Sequence, residues 1–170
     1  MGETQTIEGD GFMNKKVYKQ IKQMRCVHLI DIENLCGASN PTLEQVVHAR
    51  QVYFADLQPG KDDIFYVTVS SKANLAAAAY GWPGASYESK DGHDGADILL
   101  AKHIAEDRLQ DRFREVFVAS GDGGLSPFVE HLVNAGEPVT VVSDQRFISM
   151  KLRLSGAKVR YVRAGYQLAA

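Results

Sequence analysis

The sequence predicts an α/β domain built on a mainly parallel central sheet with helices on both of its faces. Three observations carry this. From Cys26 to Val162, short apolar runs alternate with longer amphipathic ones, strand then helix. Some of the short runs, Val139–Val142 above all, are almost continuously apolar, as strands covered on both faces are. The chain has 170 residues, 45% of them hydrophobic and 24% charged, which is enough for one sizeable core without a disulfide or a metal.

Taken in order, residues 1–25 read as a flexible tail followed by a basic helix over Asn14–Gln23. Cys26–Ile32 is a strand. Pro41–Tyr53 is a helix with Asn40 as its N-cap and Pro41 at the first position, where no backbone donor is needed. Ile64–Val69 is a strand, Lys72–Tyr80 an Ala-rich helix, and Ala85–Glu88 a weak strand. Ala96–Glu106 is a helix with Ile98, Leu99, Ala101, Ile104 and Ala105 as its apolar residues. Glu115–Ala119 and Pro138–Val142 are strands around a helix over Pro127–Asn134. Phe147–Leu154 is a helix and Lys158–Val162 the last strand. The domain proper is therefore expected over 26–163, with a C-terminal tail over 164–170.

Composition narrows the function. The longest uncharged apolar-rich stretch, around Asn74–Tyr80, falls far short of the ~20 residues that span a bilayer. The N-terminus is polar and acidic, without the apolar segment of a signal peptide. Cys26 and Cys36 are the only cysteines, so no disulfide framework is indicated and a reducing cytoplasm is expected, with no membrane partner. The net charge of -2 is unevenly spread. Residues 14–25 carry five basic side chains, 26–145 carry eighteen acidic against eight basic, and 146–170 carry six basic: Arg146, Lys151, Arg153, Lys158, Arg160 and Arg163. An acidic middle between basic flanks suits a carboxylate metal centre beside a cationic surface for a polyanion; two solvated helix faces are the plainer alternative.

In open parallel sheets ligands bind beyond the carboxyl ends of the strands. Three strands run directly into acids there: Asp31-Ile32-Glu33-Asn34, Ser120-Gly121-Asp122-Gly123-Gly124 and Ser143-Asp144. A fourth group, Asp94-Gly95-Ala96-Asp97, opens a helix. Converging carboxylates raise one another's pKa unless something positive lies between them. Hard cations such as Mg²⁺ or Mn²⁺ take such oxygen ligands, and the chemistry they favour is phosphodiester hydrolysis. Each acid also has a structural alternative. Asp94 and Asp97 could cap and charge a helix start, and Asp144 could be a loop residue or cap. Glu33 could be solvated or support a ligand, and His28 and His93 could be structural. Ser126-Pro127 already supplies a start for the helix after Asp122, which leaves Asp122 without an obvious structural duty. Competing motifs fail: there is no Gly-rich dinucleotide turn, no phosphate loop ending in Gly-Lys-Ser/Thr, no zinc spacing and no Gly-x-Ser-x-Gly elbow.

These residues resemble a known family. Leu29-Ile30-Asp31-Ile32-Glu33-Asn34-Leu35 is similar to the opening Asp-x-x-Asn strand of the NYN domains, a branch of the PIN-like ribonucleases. Asp94-Gly95-Ala96-Asp97-Ile98-Leu99-Leu100 resembles their central acidic helix, and Val118–Pro127 their Ser-Gly-Asp-Gly-Asp-Phe-x-Pro signature. Val139–Val142 with Ser149 and Leu152 resembles their closing strand and helix. The resemblance covers Val27 to Val162. It implies a three-layer α/β/α sandwich of PIN-like, Rossmann-like kind and metal-dependent cleavage of RNA. Asp31, Asp97 and Asp122 would be catalytic and would hold Mg²⁺ or Mn²⁺, with Asp94 as a further ligand. Asn34 would orient Asp31 or contact substrate, and Ser120 would support the site or touch phosphate. Arg146 and Lys151, in the basic C-terminal segment, are expected to grip the RNA backbone. Two positions depart from the family pattern: Gly124 replaces the signature's second acid, and His103 stands where many relatives carry another. The alternative is a catalytically weakened RNA-binding module, or one whose basic segment Lys15–Arg25 docks a regulatory protein; a homo-oligomer is also left open.

Overall fold

A computed structural model of the chain describes residues 24–165. The expected basic helix over Asn14–Gln23, nearly all of the N-terminal tail and residues 166–170 lie outside that range. Six strands form one sheet: β1 (Val27–Asp31), β2 (Ile64–Val69), β3 (Ser86–Ser89), β4 (Val116–Ala119), β5 (Val139–Ser143) and β6 (Lys158–Tyr161). Their spatial order is β3-β2-β1-β4-β5-β6, and every neighbouring pair is parallel. Helices cover both faces, so the expected three-layer α/β/α sandwich is what the chain adopts.

The alternation of side chains along each strand sorts the core into two layers. Leu29, Val118 and Val141 point to one face, where they meet Leu100 and Ile104 of α4 (Gly95–Glu106), Leu109 of α5 (Leu109–Arg112) and Val129 and Leu132 of α6 (Ser126–Asn134). Leu152 of α7 (Met150–Arg153) joins the same layer. Ile30, Val67, Ala119 and Val142 point to the other face. There they meet α1 (Ile32–Cys36), Val46, Ala49 and Tyr53 of α2 (Leu43–Leu57), and Ala78 of α3 (Leu75–Gly81). The chain steps outward from β1 to β2 and β3, then crosses back to place β4 on the other side of β1. That reversal opens a crevice at the carboxyl ends of β1 and β4, the standard ligand position in doubly wound sheets.

His28 belongs to this scaffold. On β1 it lies opposite Phe65 of β2 and Phe117 of β4, and its ring stacks between theirs at 4.5 and 4.6 Å. Its Nδ1 lies 2.8 Å from the Tyr53 hydroxyl and its Nε2 3.2 Å from Asp63 Oδ2. Burial pushes its pKa down, so the ring is held neutral. The structural reading of His28 is the correct one.

Element boundaries differ in instructive ways. Ile32–Cys36 is a helical turn and not the end of the first strand: the Asp31 side chain caps it and Gly37, at φ 67°, closes it. The helix expected over Pro41–Tyr53 begins two residues later, because Thr42 and Gln45 form a reciprocal capping box that displaces Asn40 and Pro41. It also runs on to Leu57. The Ala-rich helix opens as a 3₁₀ turn over Lys72–Asn74, and α7 is confined to Met150–Arg153 behind a Ser149 cap.

Candidate active site

Asp31 ends β1, and its Oδ1 accepts a 3.0 Å hydrogen bond from the Asn34 backbone N–H. It is 6% exposed. Two residues beyond the β4 carboxyl end, Gly121 N–H donates to Asn34 Oδ1 at 2.7 Å, tying the two strand ends together. Asp122 follows. Its Oδ1 accepts from Gly124 N–H at 2.7 Å, and its own N–H donates to the Ser120 hydroxyl at 3.2 Å. Asp97 comes from below, in the first turn of α4. Asp31, Glu33, Asn34, Asp97 and Asp122, with Ser39, Ser70, Ser71 and His93, line a pocket of about 320 Å³ at the crevice.

The electrostatics are those of a self-repelling cluster. Burial, aided by the charges of Asp97, Glu33 and Asp122, pushes the Asp31 carboxyl up to about 8. Burial and the neighbouring Asp122 carboxyl push Asp97 up to about 7. The Asp97 Oδ1 atom is buried without a hydrogen-bond partner. A carboxylate serving only to complement the helix dipole would titrate low, so the dipole reading of Asp97 is not its whole account. Asp94 makes no capping bond either. It is exposed, contacts His93 Nδ1 at 2.6 Å, and faces a neighbouring cleft instead of the acid pocket.

The structure sorts the alternatives that the sequence leaves open for the surrounding residues. Asp122 does have a structural one, since it caps the 3₁₀ turn Gly123–Leu125, while Ser126 is inside the helix and Leu125 precedes it. Ser120 is buried, and its hydroxyl braces the turn that carries Asp122, so it is placed to support the site and not to touch substrate. Asp144 is taken up by Arg146, which donates Nε at 2.9 Å and a terminal nitrogen at 2.7 Å. That hydrogen bonding holds Asp144 low, and the loop reading of this acid is the one its contacts support. Arg146 is therefore already paired, with its guanidinium 5.1 Å from the ring of the exposed Phe147. Lys151 is exposed and runs past Gly123, next to the Asp122 turn. His103 is nowhere near the pocket. Six residues beyond Asp97, about 9 Å along the helix, it is buried between Glu88 (2.9 Å) and Asp107 (2.6 Å) and lies against Tyr66.

Glu33 is the residue the sequence undervalued. It is buried, and its Oε1 accepts from Ser70 N–H at 2.9 Å and from Asn74 Nδ2 at 2.8 Å, while Oε2 has no partner. Asn74 also donates to the Ser39 carbonyl at 2.9 Å. A lone Asn beside an Ala run was the available signal. Asn74→Ala leaves a buried carboxylate short of a donor, and we expect a loss of about 2 kcal/mol, seen as a Tm lower by roughly 6 °C in a thermal melt.

Apart from the His93 ring, the side-chain donors at the pocket are hard oxygens, and the unpartnered Asp97 oxygen beside the Asp31 and Asp122 carboxylates suits Mg²⁺ or Mn²⁺ in kind. Among the described residues no group of three Asp, Glu, His or Cys side chains forms a ready-made ion cage. Mg²⁺ seldom needs one, being held by one or two carboxylates together with waters and substrate phosphate.

Among the described residues no helix is long and apolar enough to cross a membrane. No protein-family model and no curated protein matches the chain. Among solved structures the chain is similar to a protein of unknown function from Vibrio parahaemolyticus, at 16% identity over 82% of this chain and 93% of that one, with a TM-score of 0.53. That likeness speaks to the α/β fold.

Proposed function

We propose that the chain is a divalent-metal-dependent ribonuclease of PIN-like kind, acting in the cytoplasm. The observation that carries the reading is the convergence of Asp31, Asp97 and Asp122 from three separate elements on one pocket, with Asp31 and Asp97 pushed far above the ordinary carboxylate range. Like charges so placed are costly to the bare fold and well matched to a cation. A divalent ion there would activate a water and neutralise charge building on the phosphate.

The chain's own residues have distinct parts. Asn34 fixes the separation of the β1 and β4 ends through Gly121. Ser120 and the Gly124 N–H set the angle of Asp122. Glu33, braced by Ser70 and Asn74, adds a fourth negative group behind Asp31. Lys151 and Arg146 stand outside the pocket, where a polyanion's backbone would pass.

Gly124 favours a second reading, an RNA-binding or partner-binding module with a weakened acid set. One experiment separates the two. Single-stranded RNA incubated with Mn²⁺ is expected to be cut by the parent protein and spared by Asp122→Ala, with activity at least about a hundredfold lower. RNA that is bound equally with and without EDTA and never cut would leave the module reading in its place.

A further inference from the structure

Beside the acid pocket, and sharing Asp97 and Asp122 with it, lies a second cleft of about 490 Å³ between α4 and α6. Its character is different. Ile98, Ala101, Leu125 and Phe128 make its walls apolar, and the exposed carboxyl at its edge is Asp94. Ile98 is 50% exposed on α4, a large apolar side chain that the other described residues leave half uncovered. Gly124 keeps one side open: a Cβ there would meet only Asp122 Oδ1, at 3.2 Å. The position that departs from the family signature is therefore the position that widens this cleft.

The volume falls within the range of small-molecule sites, and the pattern of apolar walls with a few polar groups is theirs too. The acidic edge disfavours a phosphate or an acidic peptide inside the cleft. A flat, neutral ring with N–H donors on one edge fits both features. Continuity with the acid pocket means that a ring seated here would belong to a nucleotide next to the phosphate lying against Asp97 and Asp122.

We propose that the cleft is a nucleobase pocket that receives one unstacked guanine beside the bond to be cut, its face on Ile98 and Phe128 and its Watson–Crick edge on Asp94. This deepens the ribonuclease reading above and rests on it. Guanine offers N1–H and the N2 amino group side by side, two donors for the Asp94 carboxylate, whose Oδ2 is open and whose Oδ1 also lies 2.6 Å from the exposed His93 ring. Uracil offers a single N–H between two carbonyl oxygens, which Asp94 repels. The stacking component is shared by all bases, so the carboxylate edge supplies the selectivity.

The test does not depend on cleavage. Guanosine and uridine, added to the full chain in EDTA, are followed by the NMR shift of the Ile98 δ-methyl group. Guanosine is expected to move it saturably and uridine hardly at all. Asp94→Asn, at an exposed position with no capping bond to lose, is expected to weaken guanosine at least about tenfold. Equal responses to the two nucleosides, no response to guanosine, or an Asp94→Asn protein that binds guanosine as the parent does would each overturn the proposal. So would a shift of Ile98 by a lysine- or arginine-rich peptide alone, which would make the cleft a protein-docking site. The two readings fail separately. RNA cut with Mn²⁺ while Ile98 ignores guanosine overturns the base pocket alone. Guanosine bound at Ile98 with no RNA ever cut overturns the nuclease and leaves a guanine-binding site.

Discussion

Asp31→Asn is expected to make the metal-free protein more stable while removing the proposed RNA cleavage. The sign follows from the raised carboxyl. Asp31 holds its proton up to about 8 in the fold and releases it near 3.8 when unfolded, so unfolding frees a proton across that window. Stability of the parent in EDTA must therefore fall as pH rises from about 4 to about 8, and the variant must lose the Asp31 share of that slope, with Asp97 keeping its own share up to about 7. Asparagine retains an oxygen for the Asn34 N–H, so the cap of α1 survives. It also keeps the cost of burying a polar group, so only the charge-dependent part is recovered, about 2 kcal/mol at pH 7. Thermal melts of the two proteins at pH 5 and pH 8 would read this as a Tm gain of about 5 °C at the higher pH and little at the lower. RNA cleavage with Mn²⁺, measured on the same samples, is expected to fall at least about a hundredfold. A variant that melts below the parent at pH 8 would mean that the Asp31 carboxylate is compensated within the fold, and the case for a cation would lose its main support.

Such a trade between stability and function also explains which parts of the molecule could be read from the sequence. The inner strands were legible because burial leaves a nearly continuous apolar run: Ile64–Val69, interrupted only by Thr68, is read to the residue. Helix starts were legible only where one candidate cap stood alone. Around Asn40, Pro41 and Thr42 three plausible starts compete, and the outcome turns on Gln45 reaching back to Thr42, a side-chain geometry that no local preference encodes. The turn Ile32–Cys36 was hidden because its residues are as apolar as the strand before it. Within the candidate site, Asp31 and Asp122 stood out as charges just past apolar strands and Asp97 as a charge at a helix start, and the fold gathers all three. Their immediate supports did not stand out. Glu33 and Asn74 are 41 positions apart and meet only because β1 and β2 are neighbours. Asp144 was ambiguous until Arg146, two residues on, proved to be its partner. The apolar cleft was illegible for a related reason. Ile98 and Phe128 each look like ordinary core residues of an amphipathic helix, and only the packing of α4 beside α6 shows that Ile98 is left uncovered.

The seating of α4 on the strand ends depends on a glycine, and Gly95→Ala is expected to be among the most damaging single substitutions in the described chain. Helix propensity alone argues the reverse, because alanine in place of a helical glycine ordinarily gains up to about 1 kcal/mol. The local geometry overrides it. A Cβ at Gly95 would overlap the Lys90 carbonyl oxygen and sit 2.8 Å from the carbonyl carbon and 3.2 Å from Ser70 Cα, and all three are backbone atoms that cannot rotate away. Either α4 lifts from the ends of β2 and β3 or the segment after β3 moves, and Asp97 travels with the helix. The expected loss is about 3 kcal/mol, or a Tm lower by roughly 10 °C. Cleavage would fall further than stability accounts for, since a displacement of about 1 Å at a reacting group can cost a hundredfold in rate. Gly124→Ala is the control, because the added methyl meets only Asp122 Oδ1 at an exposed position, and its Tm should stay within about 2 °C of the parent's. If Gly95→Ala melts with the parent, the start of α4 is not seated against the strand ends as described, and Asp97 would have to be held in the pocket by something other than the backbone beneath it.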